Sequence, residues 1–126
     1  MSDPCPCGSG RAYPACCGPY LDQSLPAPTA EALMRARYTA YTLKREDYLL
    51  ATWDPAHRPA QLDLASDTAT RWLGLQVKRH ETTGSGQAIV EFVARYKVAG
   101  RAYRLHETSR FHVLGGAWVY VDGDVR

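Results

Sequence analysis

Two patterns in the 126 residues predict an α+β fold. Between positions 30 and 53 the apolar side chains recur at helical spacing, and from Leu75 onward the period shortens to two. Short glycine-bearing turns interrupt the alternating stretch, so helices come first and an antiparallel sheet follows. A third observation stands apart from both patterns. All four cysteines lie between Cys5 and Cys17, ahead of the first helix.

The cysteines form a Cys5-Pro6-Cys7 group and a Cys16-Cys17 group, separated by a loop that holds Gly8 and Gly10. Four thiolates gathered this closely suit one structural zinc ion, tetrahedral, at about 2.3 Å per sulfur. The glycines let the backbone take positive φ as it wraps the metal. A disulfide framework fits less well: bridging 5 to 7 or 16 to 17 is strained, and pairing 5 and 7 with 16 and 17, possible on geometry, needs an oxidising compartment. Residues 1–18 also lack the apolar stretch of a secretory signal, which predicts a cytoplasmic protein with reduced thiols. No apolar run approaches the ~20 residues that span a bilayer, so no membrane segment is expected.

Residues 19–28 contain three prolines and read as a linker without regular structure, pinned by Tyr20, Leu21 and Leu25. Thr29 is a helix N-cap, with Glu31 near the positive helix end. The spacing predicts a first helix over 30–43 and a second over 46–53, ended by Trp53-Asp54-Pro55. A proline-punctuated loop follows. Ser66 or Asp67 is expected to cap a third helix through Trp72-Leu73, with Gly74 closing it.

The sheet is expected to hold four strands: 75–81, 88–98, 101–114 and 117–122. Residues 82–86, Ala99-Gly100 and Gly115-Gly116 form the turns between them. These turns fix a register. Tyr96 faces Tyr103, Ala94 faces Leu105, Phe92 faces Glu107 and Val90 faces Ser109. Val113 then faces Trp118, Phe111 faces Tyr120 and Ser109 faces Asp122. The face the helices cover would therefore carry Phe92, Phe111, Tyr120 and Val113 along with Glu107 and Asp122. The other face mixes Ile89, Val93, Val119 and Val121 with charged residues, and His106 sits there beside Glu91.

Cys-Pro-Cys-Gly-Ser-Gly, the aromatic Tyr13 and Cys16-Cys17-Gly18 together resemble the SEC-C metal-binding motif. That resemblance implies zinc and a role in protein–protein or ribosome contacts. The loop here carries Arg11, Ala12 and Pro14 where the motif usually has lysines. The helices-then-sheet layout resembles the cone-shaped nuclear-transport-factor-2-like (SnoaL-like) fold, in which helices cap a bent sheet around a pocket. The stretches EALMRARYTAYTLKREDYLLATWDPAHRP, RWLGLQV, VEFVARYKVAGRAYRLHETSRF and WVYVDG resemble the YchJ-like family, in which a SEC-C motif precedes such a domain. The resulting division is 1–18 SEC-C knuckle, 19–28 linker and 29–126 cone domain.

Candidate ligands for the zinc are Cys5, Cys7, Cys16 and Cys17. Candidate pocket residues are Arg37, Tyr41, Tyr96, Tyr103, Glu107 and Asp122. Arg37 draws notice first: on a helical wheel with Met34 at zero it falls at about 300°, inside the apolar arc. A buried guanidinium needs acceptors, so an Arg37–Glu107 ion pair is expected, with Asp122 as the alternative partner. His57, His80 and His112 read as isolated and solvent-facing. A net charge of +2 gives no case for a nucleic-acid binder. The apolar residues on the uncovered sheet face predict a homodimer. Two functions follow. One is a non-enzymatic zinc protein that contacts a protein partner through the knuckle. The other is a small-molecule-binding or lyase/isomerase-type enzyme that uses the cone pocket, with a carboxylate as base. A ligand-sized cavity containing an unpaired carboxylate discriminates in favour of the second.

Overall fold

A computed structural model describes residues 3–125. After a 3-10 turn at Tyr13–Ala15 come helices α1 (Gly18–Asp22), α2 (Ala30–Thr42) and α3 (Glu46–Ala51). A second 3-10 turn, Leu64–Ser66, leads into strands β1 (Thr70–Gly84), β2 (Gln87–Val98), β3 (Arg101–Leu114) and β4 (Ala117–Val125). The strands form one antiparallel sheet in the order β1-β2-β3-β4. This is the expected meander under helices.

Helix α2 begins where its cap predicts. The Thr29 hydroxyl accepts from the Ala32 amide at 3.0 Å. Its buried stripe, including Leu33, Met34, Ala36 and Tyr38, packs on Val90, Phe92, Ala94 and Phe111 of the sheet. Residues 18–22 are helical rather than linker. Pro19 sits in the first turn, where a missing N–H costs nothing, and Leu21 is buried while Leu25 is exposed.

The expected third helix does not form: Thr70 onward is strand. Asp67 caps only a turn, accepting from the Ala69 and Thr70 amides at 3.0 Å each. Trp72 pairs with Tyr96 across the strands and packs its ring against Tyr38, Tyr41 and Tyr96. That aromatic contact outweighs a weak local helix preference. The strand accommodates the longer run with a bulge at Leu73.

The β2–β3 register is the one expected, from Val90↔Ser109 to Tyr96↔Tyr103. Between β3 and β4 the expected pairs hold at Val113↔Trp118 and Phe111↔Tyr120 and then break. Val121 is an extra residue, so Asp122 pairs with Arg110 and Gly123 with Ser109. A one-residue slip exchanges faces. Asp122 therefore stands on the outer face, ion-paired to Arg110, and not among the cavity residues.

The outer face is less open than its sequence suggests. Val93 and Val119 are buried within the chain itself, and Ile89 and Val121 are half-buried. His106 bonds Glu91 at 2.6 Å there, the expected cross-strand pair.

Candidate metal centre and interior cavity

The four cysteine sulfurs lie within 4.8 Å of one another, and all four residues are buried and free of disulfides. Cys7 and Cys16 sulfurs are 3.6 Å apart and those of Cys16 and Cys17 are 3.9 Å apart. A tetrahedron with metal–sulfur bonds of about 2.3 Å requires sulfur spacings of about 3.8 Å. The donor set therefore fits zinc with no position left open. Gly8 (φ +77) and Gly10 (φ +87) supply the left-handed backbone that brings the loop round. Gly18 is fixed for another reason: a Cβ there would meet the Tyr13 carbonyl at 2.8 Å.

Donors surround the sulfurs. Ser9 Oγ lies 3.1 Å from Cys16 Sγ, and Arg11 Nη2 donates to the same sulfur at 3.7 Å. Two residues of α2 complete the ring. Thr39 Oγ1 donates to Cys17 Sγ at 3.3 Å and lies 3.7 Å from Cys5 Sγ. Arg35 Nη1 donates to the Cys7 carbonyl at 3.0 Å and to Cys7 Sγ at 3.9 Å. Four thiolates around Zn²⁺ would carry a net charge of −2, which two guanidiniums offset. In the protein alone Cys7 is the thiol that ionises first, its pKa lowered to about 4. A hydrogen bond from Cys17 is the main cause, opposed by burial and helped by Ser9. The Cys17 thiol is pushed up by the same bond and by burial.

On the other side of α2 an interior cavity of about 240 Å³ lies between helices and sheet. Arg37, Tyr41, Trp53, Trp72, Glu107 and Tyr120 are among the residues that line it. Arg37 is 4 % exposed, as its place on the wheel requires, but it does not pair with Glu107. Its Nη1 donates to the Leu49 carbonyl and to Thr52 Oγ1, both at 2.8 Å. Its Cζ lies 4.8 Å from the Trp53 ring and 4.7 Å from the Tyr120 ring. Helix α3 and two aromatic faces thus satisfy the charge in place of a carboxylate. Burial still pushes the Arg37 pKa down.

Glu107 is held differently. Its Oε2 accepts from Ser109 Oγ at 2.6 Å and from the Tyr120 hydroxyl at 3.1 Å. Tyr120 therefore shows its face to the guanidinium and its hydroxyl to the carboxylate, which keeps the two charges in one cavity but apart. Burial, then Glu107, pushes the Tyr120 hydroxyl pKa up. Gly123 makes room for this carboxylate, since a Cβ there would sit 2.2 Å from Oε2.

The backbone fixes both rings. Tyr120 donates its N–H to the Thr52 carbonyl and accepts from the Asp54 amide, both at 2.8 Å. Asp54 is buried, with its carboxylate 3.4 Å from both His57 Nδ1 and His112 Nε2. These two histidines, expected to be isolated, share one acid. His80 also has a partner, Glu31, at 3.8 Å. The Ala56 amide first, then the histidines, holds the Asp54 carboxyl below the usual range.

Of the six expected pocket residues, Arg37, Tyr41 and Glu107 line the cavity. Tyr96 lines an adjoining cleft that shares Tyr41 and Trp72 with it. Tyr103 stacks on Tyr96 at 5.4 Å and is 41 % exposed, outside the cavity. Asp122 is on the outer face. Trp53, Trp72, Ser109 and Tyr120 went unpredicted as site residues. The register already placed Tyr120 and Ser109 on the covered face, which was the available signal. Trp72 was hidden by its assignment to a helix.

A family model described as the YchJ middle NTF2-like domain matches residues 29–123, and a SEC-C motif model matches residues 1–19. A UPF0225 protein of Polaromonas naphthalenivorans is 52 % identical over 136 residues, covering 98 % of each chain. Another, from Cupriavidus pinatubonensis, is 56 % identical and covers 97 % of this chain and 88 % of its own. Among solved structures, a SEC-C motif protein of Rhodopseudomonas palustris superposes with a TM-score of 0.85 at 38 % identity, covering 100 % of this chain and 99 % of that one. A SEC-C motif protein of Psychrobacter arcticus gives a TM-score of 0.80 at 31 % identity, covering 97 % of this chain and 82 % of that one.

Proposed function

Because the chain belongs to the UPF0225 family, with a SEC-C motif ahead of a YchJ middle NTF2-like domain, we propose that it is a zinc-bearing protein that binds a small molecule inside its cone. The carrying observation is the cavity, which holds a buried Arg37 and a Glu107 that are not ion-paired to each other. The cavity keeps an apolar, aromatic space beside those charges, as ligand sites do. Its volume equals about eight waters of liquid, enough for a compact organic molecule.

Zinc in this reading is structural. All four ligand positions belong to Cys5, Cys7, Cys16 and Cys17, which leaves the ion no open site for chemistry. Reduced, clustered thiols fit a reducing compartment, the cytoplasm. The thiols are turned toward the domain, so a protein partner at the knuckle would meet Asp3, Pro4, Gly8, Gly10, Arg11, Pro14 and Ala15, which are exposed. The cavity has more built structure behind it and is the better-supported site.

The pair also suggests a chemistry. A ligand carbonyl against the Arg37 guanidinium would place developing negative charge beside a fixed cation. Glu107, oriented by two hydroxyls, would take a proton from the neighbouring carbon. That assignment makes the reaction class an isomerase or lyase.

A fragment screen followed by amide NMR tests the reading. Bound fragments should shift Arg37, Tyr41, Trp72 and Tyr120, and Ala94→Phe, which fills the cavity, should abolish those shifts. Fragments that bind Ala94→Phe equally well would overturn it. Metal analysis should find about one zinc per chain, lost in Cys7→Ser/Cys17→Ser.

A further inference from the structure

The interior cavity holds hydrogen-bonding capacity that the chain itself does not use. Arg37 is 4 % exposed, so its donors need partners inside the molecule. Nη1 commits both of its N–H groups, to the Leu49 carbonyl and to Thr52 Oγ1. Nη2 and Nε donate to nothing among the described residues. Neither nitrogen is sealed in protein: the sealed side-chain atoms without a partner are Trp53 Nε1 and His112 Nε2. The free donors of Arg37 therefore open onto the cavity that it lines.

Those donors form one edge. In a guanidinium, Nε–H and the nearer Nη2–H run parallel and side by side, and together they match two oxygens held in one plane. Leu49 and Thr52 occupy the Nη1 end, and the Trp53 and Tyr120 rings lie against the group. The parallel edge is what remains for a ligand. Glu107 shows the same asymmetry. Its Oε2 takes both bonds, from Ser109 and Tyr120, while Oε1 accepts from no described residue. Met34, Trp72, Phe92, Ala94 and Leu105 supply apolar wall around a space of about 240 Å³.

These features select among ligands. A simple ketone presents one oxygen, which cannot lie in line with two parallel N–H bonds. A simple carboxylate fills the edge but gives Glu107 no acidic C–H to act on. A 2-oxo acid meets both demands. Its ketone oxygen and one carboxylate oxygen lie on the same side in one plane, and the ketone acidifies the C–H at C3. Its charge also neutralises a buried guanidinium that pairs with no carboxylate of the described residues.

We infer that the cavity takes a 2-oxo acid with a compact apolar side chain and labilises its C3 proton through the enolate. This deepens the proposed cavity function and rests on it. The ketone and carboxylate oxygens seat on Nε and Nη2 of Arg37, and C3 faces Oε1 of Glu107. The C3–H bond breaks and its proton passes to Oε1. The freed electron pair forms the C2–C3 double bond, and the ketone π pair moves onto the oxygen that Arg37 holds. The reverse step returns a proton to C3, so no oxidant, reductant or leaving group takes part.

Three compounds of one shape separate the demands: 4-methyl-2-oxopentanoate, 4-methylpentanoate without the ketone, and 4-methylpentan-2-one without the carboxylate. Calorimetry on the intact chain should find the oxo acid bound about tenfold or more tighter than either analogue. Arg37→Lys keeps the charge but loses the parallel edge, and it should shrink that preference to about threefold or less. The ranking on the unaltered protein decides the matter even where Arg37→Lys fails to fold. In deuterium oxide, proton NMR should show deuterium entering C3 faster than in buffer, and Glu107→Gln should return the rate to that of buffer. Equal binding of either analogue, exchange no faster than in buffer, or exchange that survives Glu107→Gln would overturn the inference. If none of the three compounds binds while other fragments bind and are lost in Ala94→Phe, the 2-oxo acid falls and the cavity's ligand-binding role stands. If no fragment is sensitive to Ala94→Phe, the underlying reading falls with it.

Discussion

Glu107 depends on a residue that has no side chain. Gly123 lies across the strand pair from Ser109 and leaves the space the carboxylate occupies. Gly123→Ala must displace either Glu107 or β4, and overpacking of this kind costs about 1–3 kcal/mol. Urea unfolding of Gly123→Ala should show that loss, while Gly74→Ala should not, because nothing lies near its added Cβ and its φ is not in the left-handed region; a stable Gly123→Ala would mean the carboxylate sits elsewhere. At this scale the sequence was legible in part. Arg37's burial followed from its position among apolar neighbours at helical spacing. Its partners did not, because Trp53, Tyr120 and the Leu49 carbonyl come together only when the segment after α3 pairs with β4 at Tyr120. Asp122 was misplaced for a smaller reason. The inserted Val121 leaves no mark in an alternating run of tryptophan, valine and tyrosine.

Elements were easiest to read where a cap or a turn stated the geometry. Thr29 opens α2, and Ala99-Gly100 and Gly115-Gly116 set two hairpins whose residues all have positive φ. β1 was harder to see, because its inward Trp72 gains its partners from α2 and β2 rather than from its own neighbours. The long segment between α3 and β1 is held by carboxylates. Glu46 accepts from the Leu62 and Leu64 amides at 3.1 and 2.9 Å, and Asp54 and Asp67 accept from amides after them. These bonds hold all three carboxyls below their ordinary values. A lowered carboxyl pKa stabilises the folded state above the ordinary value and ceases to do so as pH falls through the folded one. The urea midpoint should therefore be steady from pH 7 to about 5 and drop below about pH 4. Asp54→Asn should lower the neutral midpoint and shrink the acid drop. A midpoint that rises on acidification would contradict the assignment.

For the whole molecule, α2 is the shared wall. The four cysteines belong to one buried cluster with Leu33, Ala36, Tyr38 and Ala40 of α2 and with Phe92 and Phe111 of the sheet. Removing the metal should therefore do more than loosen residues 1–18. With a chelator at neutral pH, thermal melting should show one transition moved to lower temperature. Thr39→Val should weaken metal retention by removing the donor to Cys17. Two separate transitions would mean that the knuckle folds independently of the cone. Arg37 and Thr39 are two residues apart, so they point about 200° apart around the helix axis. Inserting a single residue between Leu33 and Arg35 would rotate everything after it by about 100°, moving both side chains off their targets together. Length changes between relatives therefore have no neutral home inside residues 30–42. The segment from 55 to 69, held by hydrogen bonds to its amides and by Leu62 and Leu64 against the core, can absorb them outside those two positions.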